Sequence, residues 1–325
     1  MQMNLEKENN EFITIMLKMV GTACNMCCQY CYEHVSKNER KVISSAEDVK
    51  EYLKKYVDYK HVFVVFHGGE PLLAKIDEVR DILNFIQHSF KYEYRVQFQT
   101  NGTLLSDEWI ALFCEYEPNI SLSASIDPVG KLDLRKANGF DYRDCVKNNL
   151  AKYSNLIQNI GIISVAHKYN MAYYEMFIED LMNKGIKSLT INKIQGVPSD
   201  VSYGITEMEY VELIIELSKK YISKGWYKQI NIQPINSLFS RKGNKICTYL
   251  ADEHKCSYFN TYYGKNDVSL YCDHIVTDKL PEVPDECYQC DIYSKCGGGC
   301  LVEKKDATFC EARHKLVEFI KEVSS

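Results

Sequence analysis

The chain has 325 residues, of which 46% are hydrophobic and 26% are charged, and its formal net charge is -5. This composition excludes an intrinsically disordered chain, and the negative charge argues against a nucleic-acid partner held mainly through phosphate contacts. The N-terminus lacks a basic segment followed by an apolar one, and no run approaches the ~18 apolar residues of a membrane span. We therefore expect a cytoplasmic protein with no membrane and no nucleic-acid partner.

From residue 12 to about residue 233 the sequence alternates apolar, strand-like runs with helical patterns. The predicted strands span residues 12–19, 61–66, 94–99, 120–126, 161–166 and 188–194, and the predicted helices span residues 46–56, 76–90, 107–115, 142–155, 173–184 and 207–220. In the second helix, Val79, Ile82, Leu83 and Ile86 recur at helical spacing. The run at residues 62–66 is apolar throughout, which is typical of a parallel strand covered on both faces.

Six strand–helix units predict an α/β fold with a parallel sheet, either a partial (β/α)6 barrel or a doubly wound sheet. Near residue 234 this rhythm ends and a loop-rich, cysteine-rich segment begins. We expect a core domain over residues 12–235 and a second domain over residues 236–325. The second domain is too small to bury a full core of its own, so bound metal would stabilise it.

The chain contains fourteen cysteines, and most of them are grouped. Four lie within residues 24–31 and eight within residues 247–310, whereas Cys114 and Cys145 stand alone in helix-like segments. Because cytoplasmic thiols stay reduced, the two groups indicate metal binding or catalysis rather than disulfides. We expect Cys114 and Cys145 to be small buried hydrophobic side chains.

Unusual loops follow each of the first four predicted strands. The carboxyl ends of parallel strands lie at one edge of a sheet, so these loops should form one site. In chain order they carry Cys24, Cys28 and Cys31, then His67, Gly68, Gly69 and Glu70, then Asn101, then Asp127.

Cys24, Cys28 and Cys31 stand in a C-x3-C-x2-C frame. Three thiolates on one loop can hold three corners of a 4Fe-4S cluster, which leaves one iron without a protein ligand. This segment resembles the radical S-adenosylmethionine (SAM) enzymes. The resemblance implies that the open iron binds SAM, that a reduced cluster cleaves it, and that the resulting 5′-deoxyadenosyl radical removes a hydrogen atom from substrate. We interpret the neighbouring Cys27 as a packing residue.

The same resemblance implies contacts between the other loops and SAM. Gly68, Gly69 and Glu70 would bind the methionyl amine, and Ser125 and Arg135 would bind the carboxylate. The chain departs from the family pattern in having Pro128 after Asp127 and a short spacing to Arg135. Asn101 is a candidate contact to the ribose, and a turn formed by Asn101 and Gly102 is the equal alternative.

The C-terminal cysteines include the pattern C-x2-C-x5-C-x3-C from Cys287 to Cys300, followed by Cys310. This segment resembles the SPASM domain, the auxiliary-cluster module of radical SAM enzymes that modify peptides and proteins. The resemblance implies two further 4Fe-4S clusters, one held by Cys247, Cys256, Cys272 and Cys300 and the other by Cys287, Cys290, Cys296 and Cys310. A structural zinc site is the alternative, since C-x2-C pairs are common zinc ligands. With the cysteines of the first loop, the total is three clusters.

Asp273 follows Cys272, and in the sulfatase-maturing branch of the resembled family an aspartate there accepts a proton near the substrate. An exposed loop aspartate is the equal alternative. The leading hypothesis is a maturase that modifies a ribosomally made peptide, with an anaerobic sulfatase-maturing enzyme second. The sequence also leaves open a small-molecule dehydrogenase, an iron–sulfur electron carrier and a zinc-stabilised binding module.

The expected partners are a peptide or protein substrate and an external electron donor such as a flavodoxin or ferredoxin. Only about eleven residues precede the first predicted strand. We therefore expect no N-terminal leader-binding domain of the kind that some peptide maturases carry.

Overall fold

The computed structural model describes residues 11–35, 43–137, 142–153, 155–156, 159–195, 201–239, 259–270, 282–300 and 303–324. Several residues singled out from the sequence lie outside these ranges, namely Cys247, Cys256, Cys272 and Asp273.

The six predicted strands are present, and each begins and ends within two residues of its predicted bounds. They are β1 (Phe12–Leu17), β2 (His61–Phe66), β3 (Glu93–Thr100), β4 (Ile120–Ser125), β5 (Ile160–Ala166) and β6 (Ser188–Lys193). Three further strands were not predicted: β7 (Asn231–Gln233), β8 (Phe259–Gly264) and β9 (Asp267–Ser269). All nine belong to one sheet in the order β7-β6-β5-β4-β3-β2-β1-β8-β9.

The sheet is parallel except for the β8–β9 pair, which is antiparallel. From β1 to β7 the spatial order follows the chain order, without the reversal that defines a doubly wound sheet. The doubly wound alternative is therefore wrong. Within the described residues the sheet is not closed, since β7 and β9 are its two edges. The prediction of a partial parallel barrel is confirmed.

The predicted helices are also present, with small differences in their ends. The helices are α1 (Tyr32–Val35), α2 (Ala46–Leu53), α3 (Ile76–Ser89), α4 (Asp107–Glu115), α5 (Tyr142–Tyr153), α6 (Tyr174–Asn183), α7 (Glu207–Ser223), α8 (Ile235–Leu238), α9 (Asp285–Tyr288), α10 (Tyr293–Cys296) and α11 (Phe309–Ser324). Side chains fix several starts: Ser45 and Ser106 accept from backbone N–H groups, and Thr206 and Glu209 form a capping box. No helix in the described part of the chain is long and apolar enough to span a bilayer.

One face of the sheet packs against helices. Ile15, Phe66 and Phe98 are fully buried there, and the rings of Phe66 and Phe98 stack with their centroids 4.3 Å apart. The apolar stripe of α3 lies in the same core, as its spacing predicts, because Val79 and Ile82 are fully buried. Burial of apolar side chains on this face supplies the main stabilisation of the fold.

On the opposite face, which we call the inner face, strands β3, β4 and β6 carry polar side chains. In β3, β4 and β6 buried apolar residues alternate with half-buried polar ones, so the second face carries side chains such as Gln97, Gln99, Ser125 and Asn192. Gln97 donates to Ser123 over 2.8 Å, and Gln99 donates to Gln97 over 3.1 Å. The expectation of apolar cover on both faces is wrong for these strands.

The C-terminal segment packs on the core at two places. Strand β8 pairs with β1, and α11 packs along α7. At the second contact Arg313 and Glu207 form a fully buried ion pair with nitrogen and oxygen 2.8 Å apart. Asp306 accepts from the backbone N–H of Glu207 over 2.8 Å, which satisfies the N-terminus of α7.

Candidate active site

The first cysteine loop connects β1 to α1 and begins the site. Cys24, Cys28 and Cys31 are half-buried and form no disulfide within the described residues. Burial, and more weakly the nearby thiol of Cys31, raises the pKa of Cys24 and raises that of Cys28 to about 11. Without metal these thiols hold their protons at neutral pH, and metal binding would release them. Cys27 is exposed, so its interpretation as a packing residue is wrong.

The glycine pair after β2 lies directly against the cysteine loop. The N–H of Gly69 donates to the carbonyl of Gly21 over 2.8 Å, and that of Glu70 donates to the carbonyl of Ala23 over 2.7 Å. A Cβ atom on Gly69 would lie 1.9 Å from the Ala23 oxygen, and Gly68 has a φ of +115°. Glycine is therefore required at both positions, because the backbone of the glycine pair lies too close to the backbone of the cysteine loop to leave room for a side chain.

Glu70 is fully buried and joins the second and third loops. Its carboxylate accepts from the Thr100 hydroxyl over 2.6 Å and from the N–H groups of Asn101 (2.7 Å) and Leu72 (3.0 Å). Burial raises the pKa of Glu70 to about 7, while these hydrogen bonds oppose the shift. In this structure the carboxylate positions the loop that carries Asn101.

Asn101 reaches the cysteine loop through its amide. Its Nδ2 donates to Asn25 over 2.7 Å and lies 3.8 Å from the Cys24 sulfur. Its Oδ1 accepts from the backbone N–H of Thr103 over 2.9 Å, and Gly102 has a φ of +76°. The turn predicted at Asn101 and Gly102 is therefore present, and the side chain also lies beside a thiol.

The loop after β4 places Asp127 and Arg135 on the other side of the cysteines. Buried Asp127 accepts from the Tyr30 hydroxyl over 2.5 Å and from the Val165 N–H over 2.8 Å. Arg135 Nε lies 3.5 Å from Asp127 Oδ2 and is buried without a hydrogen-bond partner in the described part of the chain. Its positive charge lowers the pKa of Cys28 against the larger effect of burial.

Backbone hydrogen bonds explain why Arg135 is close despite its short spacing from Asp127. The N–H of Cys27 donates to Lys136 and that of Gln29 to Leu134, each over 2.8 Å. The segment around Arg135 thus runs beside the cysteine loop. Ser125 is the last residue of β4 and is half-buried, two residues before Asp127.

Sequence reasoning missed a buried ion pair at the base of the cysteine loop. Lys18 Nζ and Glu33 Oε1 are 2.5 Å apart, and each side chain is less than a tenth exposed. The Lys18 ammonium also lies 5.3 Å from the ring centroid of Tyr32 and 5.1 Å from that of Tyr263. A lysine at the end of an apolar strand, with a glutamate just beyond the last cysteine, was the available signal.

Four cysteines of the C-terminal segment meet in one cavity. Cys287, Cys290, Cys296 and Cys310 line it together with Lys304 and His314, whereas Cys300 does not. These four are the set that the family resemblance assigns to one cluster. The lone Cys114 is exposed, so its expected burial is wrong.

Comparisons with known proteins agree with this geometry. The cysteine-type anaerobic sulfatase-maturating enzyme of Clostridium novyi is 22% identical over 92% of this chain and 93% of that protein. The structure of anSMEcpe with bound AdoMet and the Cp18Cys peptide superposes with a TM-score of 0.80 at 18% identity, covering 96% of this chain and 98% of that one. Streptococcus suis SuiB bound to precursor peptide SuiA gives a TM-score of 0.64 at 14% identity, covering 90% and 72%.

A family model places the site in a known class of enzyme. The model of the radical SAM superfamily matches residues 19–181, which include the three cysteines of the first loop, the glycine pair and Arg135. Such enzymes use a 4Fe-4S cluster and SAM, and three thiols that converge on one loop are a suitable donor set for three of the four irons. The chain is an enzyme of the radical SAM superfamily.

Proposed function

We propose that this enzyme modifies a residue of a peptide, as a maturase of a ribosomally made precursor. The observation that carries the proposal is the set of polar side chains that β3, β4 and β6 present on the inner face, of which β3 and β4 lead directly into the loops of Asn101 and Asp127. Half-buried amide and hydroxyl groups there, including Gln97, Gln99 and Asn192, can pair with the donors and acceptors of a peptide backbone. The solved structures of anSMEcpe and SuiB contain bound peptides, which supports a peptide partner.

In this proposal Cys24, Cys28 and Cys31 hold the first cluster. When bound, the cluster and SAM supply the electron transfer and the radical that abstracts a hydrogen atom from the substrate. Gly68, Gly69, Glu70, Asn101, Ser125 and Arg135 are the proposed SAM-binding residues. The buried Arg135 Nε without a hydrogen-bond partner among the described residues supports its assignment to the SAM carboxylate.

The proposal includes two auxiliary clusters in a C-terminal domain over residues 236–325, and an external donor such as a flavodoxin or ferredoxin. The cavity shared by Cys287, Cys290, Cys296 and Cys310 supports the second of these clusters. Cys247, Cys256, Cys272 and Cys300 are the proposed ligands of the other.

The first experiment is reductive SAM cleavage under anaerobic conditions, with 5′-deoxyadenosine as the product measured. Cys28→Ala should abolish release, because a cluster ligand is lost. Cys27→Ala is the matched control, since Cys27 is the adjacent but exposed thiol, and it should cleave SAM normally. Equal loss in both variants would contradict the assignment of Cys28.

The second experiment tests the peptide substrate. The enzyme is incubated with SAM, reductant and the precursor peptide encoded by a neighbouring reading frame, and peptide mass is followed. A mass loss that requires Cys28 supports the maturase. An unmodified peptide alongside active SAM cleavage would contradict it.

An anaerobic sulfatase-maturing activity is the second candidate, and the match over 92% of the chain to the Clostridium novyi enzyme favours it. In that case Asp273 would accept the proton lost when a serine or cysteine is oxidised to formylglycine. The test is a sulfatase peptide carrying the target cysteine, with the aldehyde trapped by a hydrazide reagent. Trapping that persists at the normal rate in Asp273→Asn would exclude this role for Asp273.

A further inference from the structure

The cavity of the C-terminal cysteines is lined by basic groups as well as thiols. Lys304, Arg313 and His314 surround Cys287, Cys290, Cys296 and Cys310. Given the proposed 4Fe-4S cluster at these four cysteines, the basic groups are placed to act on its reduction potential.

Lys304 makes the most direct contact. Its ammonium donates a hydrogen bond to the sulfur of Cys287. A lysine side chain is a cation at neutral pH, so this contact places a positive charge at a ligand sulfur. No carboxylate in the described part of the chain lies within ion-pair distance of Lys304.

The other two basic groups are partly offset by acids. Arg313 is buried, but its guanidinium pairs with Glu207 at 2.8 Å. His314 Nε2 lies 3.6 Å from the Cys290 sulfur, and its Nδ1 lies 3.8 Å from the exposed carboxylate of Asp291. Of these three basic groups, Lys304 is therefore the one whose positive charge at the sulfurs is least offset by a carboxylate of the described residues.

We propose that Lys304 raises the reduction potential of the cluster held by Cys287, Cys290, Cys296 and Cys310, which suits that cluster to accepting electrons. On reduction, the cluster and its four thiolates gain one further negative charge. A hydrogen-bonded ammonium at a ligand sulfur stabilises the reduced state more than the oxidised state. Hydrogen bonds to the sulfurs and the local net charge are among the factors that set such potentials.

The experiment is a redox titration of the anaerobically reconstituted full-length enzyme, followed by electron paramagnetic resonance. The relevant signal is identified as the one that disappears in Cys290→Ala. Lys304→Met removes the charge and the donor while keeping much of the length. Lys305→Met is the matched control, because Lys305 lies in the same turn but is exposed. Lys304→Arg should restore the effect, since it returns both charge and donor.

At a fixed potential, the ratio of reduced to oxidised Cys290-dependent cluster should fall roughly ten-fold in Lys304→Met. This factor corresponds to the free energy of about one charge-assisted hydrogen bond. The midpoint thus moves to a more negative potential, while Lys305→Met and Lys304→Arg stay near the wild type. An unchanged midpoint in Lys304→Met, or an equal shift in Lys305→Met, would overturn the inference. Iron content that does not fall in Cys290→Ala would instead refute the cluster itself, and the inference with it.

Discussion

Glu70 shows how one buried carboxyl can organise three loops. It receives three hydrogen bonds from residues after β2 and at the end of β3, while its own N–H holds Ala23 on the cysteine loop. A substitution of Glu70 should therefore displace Asn101 and the loop that carries Cys24. The effect passes through hydrogen bonds and not through a direct contact between Glu70 and a thiol. We regard it first as a positioning residue, and its contact with SAM stays a proposal.

The raised pKa of Glu70 predicts a pH-dependent stability. Its pKa rises from the ordinary 4.5 to about 7, so the native state binds the proton more tightly than the unfolded state. The contribution is fully present below about pH 4.5 and is lost as the pH rises through about 7, a change of about 3 kcal/mol. Urea unfolding of the metal-free protein from pH 5 to 8 should show this decline in the wild type but not in Glu70→Gln. A Glu70→Gln profile parallel to the wild type would contradict the shift.

A substitution of Gly69 should have a steric effect, which is distinct from the change in conformational entropy that accompanies any replacement of glycine. In Gly69→Ala the new methyl group would strike the Ala23 carbonyl, so both backbone hydrogen bonds between the loops would break. We expect a loss of at least about 2 kcal/mol in stability and poor loading of the first cluster. Gly185→Ala is the comparison for backbone strain alone, because Gly185 has a φ of +75° with open space around it, so this variant should lose some stability but keep its iron. Normal iron content in Gly69→Ala would show that the loops need not touch.

At the scale of elements, the cysteine loop is closed by the Lys18–Glu33 ion pair. Lys18 follows β1 directly and Glu33 lies in α1. The two residues of this ion pair therefore stand before the first and after the last of the three cysteines in the sequence. His67 extends the group, with its Nδ1 3.9 Å from Glu33 Oε1. The pair can therefore hold the loop in shape before metal arrives, which would lower the entropic cost of assembling the cluster.

A double-mutant cycle tests this role. Lys18→Met or Glu33→Gln alone should cost about 3 kcal/mol, because each removes the opposite charge that the buried partner contacts most closely, whereas the double variant should cost far less than the sum. Iron uptake should be slower in each single variant. The exposed Lys54–Glu51 pair, with its atoms 2.5 Å apart, is the control and should show negligible coupling. Additive losses at Lys18 and Glu33 would mean that the pair does not act as a unit.

Helices and strands that are determined by neighbouring residues can be predicted from the sequence, whereas features that depend on contacts between distant residues cannot. The six βα units follow from apolar runs and helical spacing, and α3 was predicted within one residue at its end. The polar side chains of β3 and β6 on the inner face are not among the predictions, although the alternation of apolar and polar residues in these two strands is the signal for them. Lys18 and Glu33 can be singled out from the sequence as a lysine at the end of an apolar strand and a glutamate just beyond the last cysteine, but their contact depends on the fold, which brings residues fifteen positions apart together.

For the whole molecule, the described part of the C-terminal segment contacts the core through a strand and through a network of charged side chains. Strand β8 extends the core sheet beside β1, and Lys193 at the end of β6 lies 3.1 Å from Glu207 and 3.2 Å from Asp306. Because Glu207 also binds Arg313, a charged network runs from the barrel to the wall of the C-terminal cysteine cavity. The resemblance to the SPASM domain assigns the cysteines of that cavity to one cluster, but it does not show that α11, which carries Cys310, packs along α7.

Iron stoichiometry tests the organisation of the whole chain. Three clusters of four irons predict about 12 irons per chain after anaerobic reconstitution, and removing one cluster predicts about 8. Cys290→Ala should therefore lose about four irons and form no product. It should still release 5′-deoxyadenosine without coupling to product, because Cys24, Cys28 and Cys31 lie on a separate loop.

Cys114→Ala is the control for this measurement, since Cys114 is an exposed thiol that lies outside both cysteine groups. It should keep the full iron content and normal turnover. Iron would be measured by chelator absorbance and zinc by mass spectrometry on the same samples, so that a zinc site is recognised directly. A plateau near four irons with bound zinc would remove both auxiliary clusters. Complete loss of SAM cleavage in a folded Cys290→Ala protein would instead show that the two cysteine groups do not work separately.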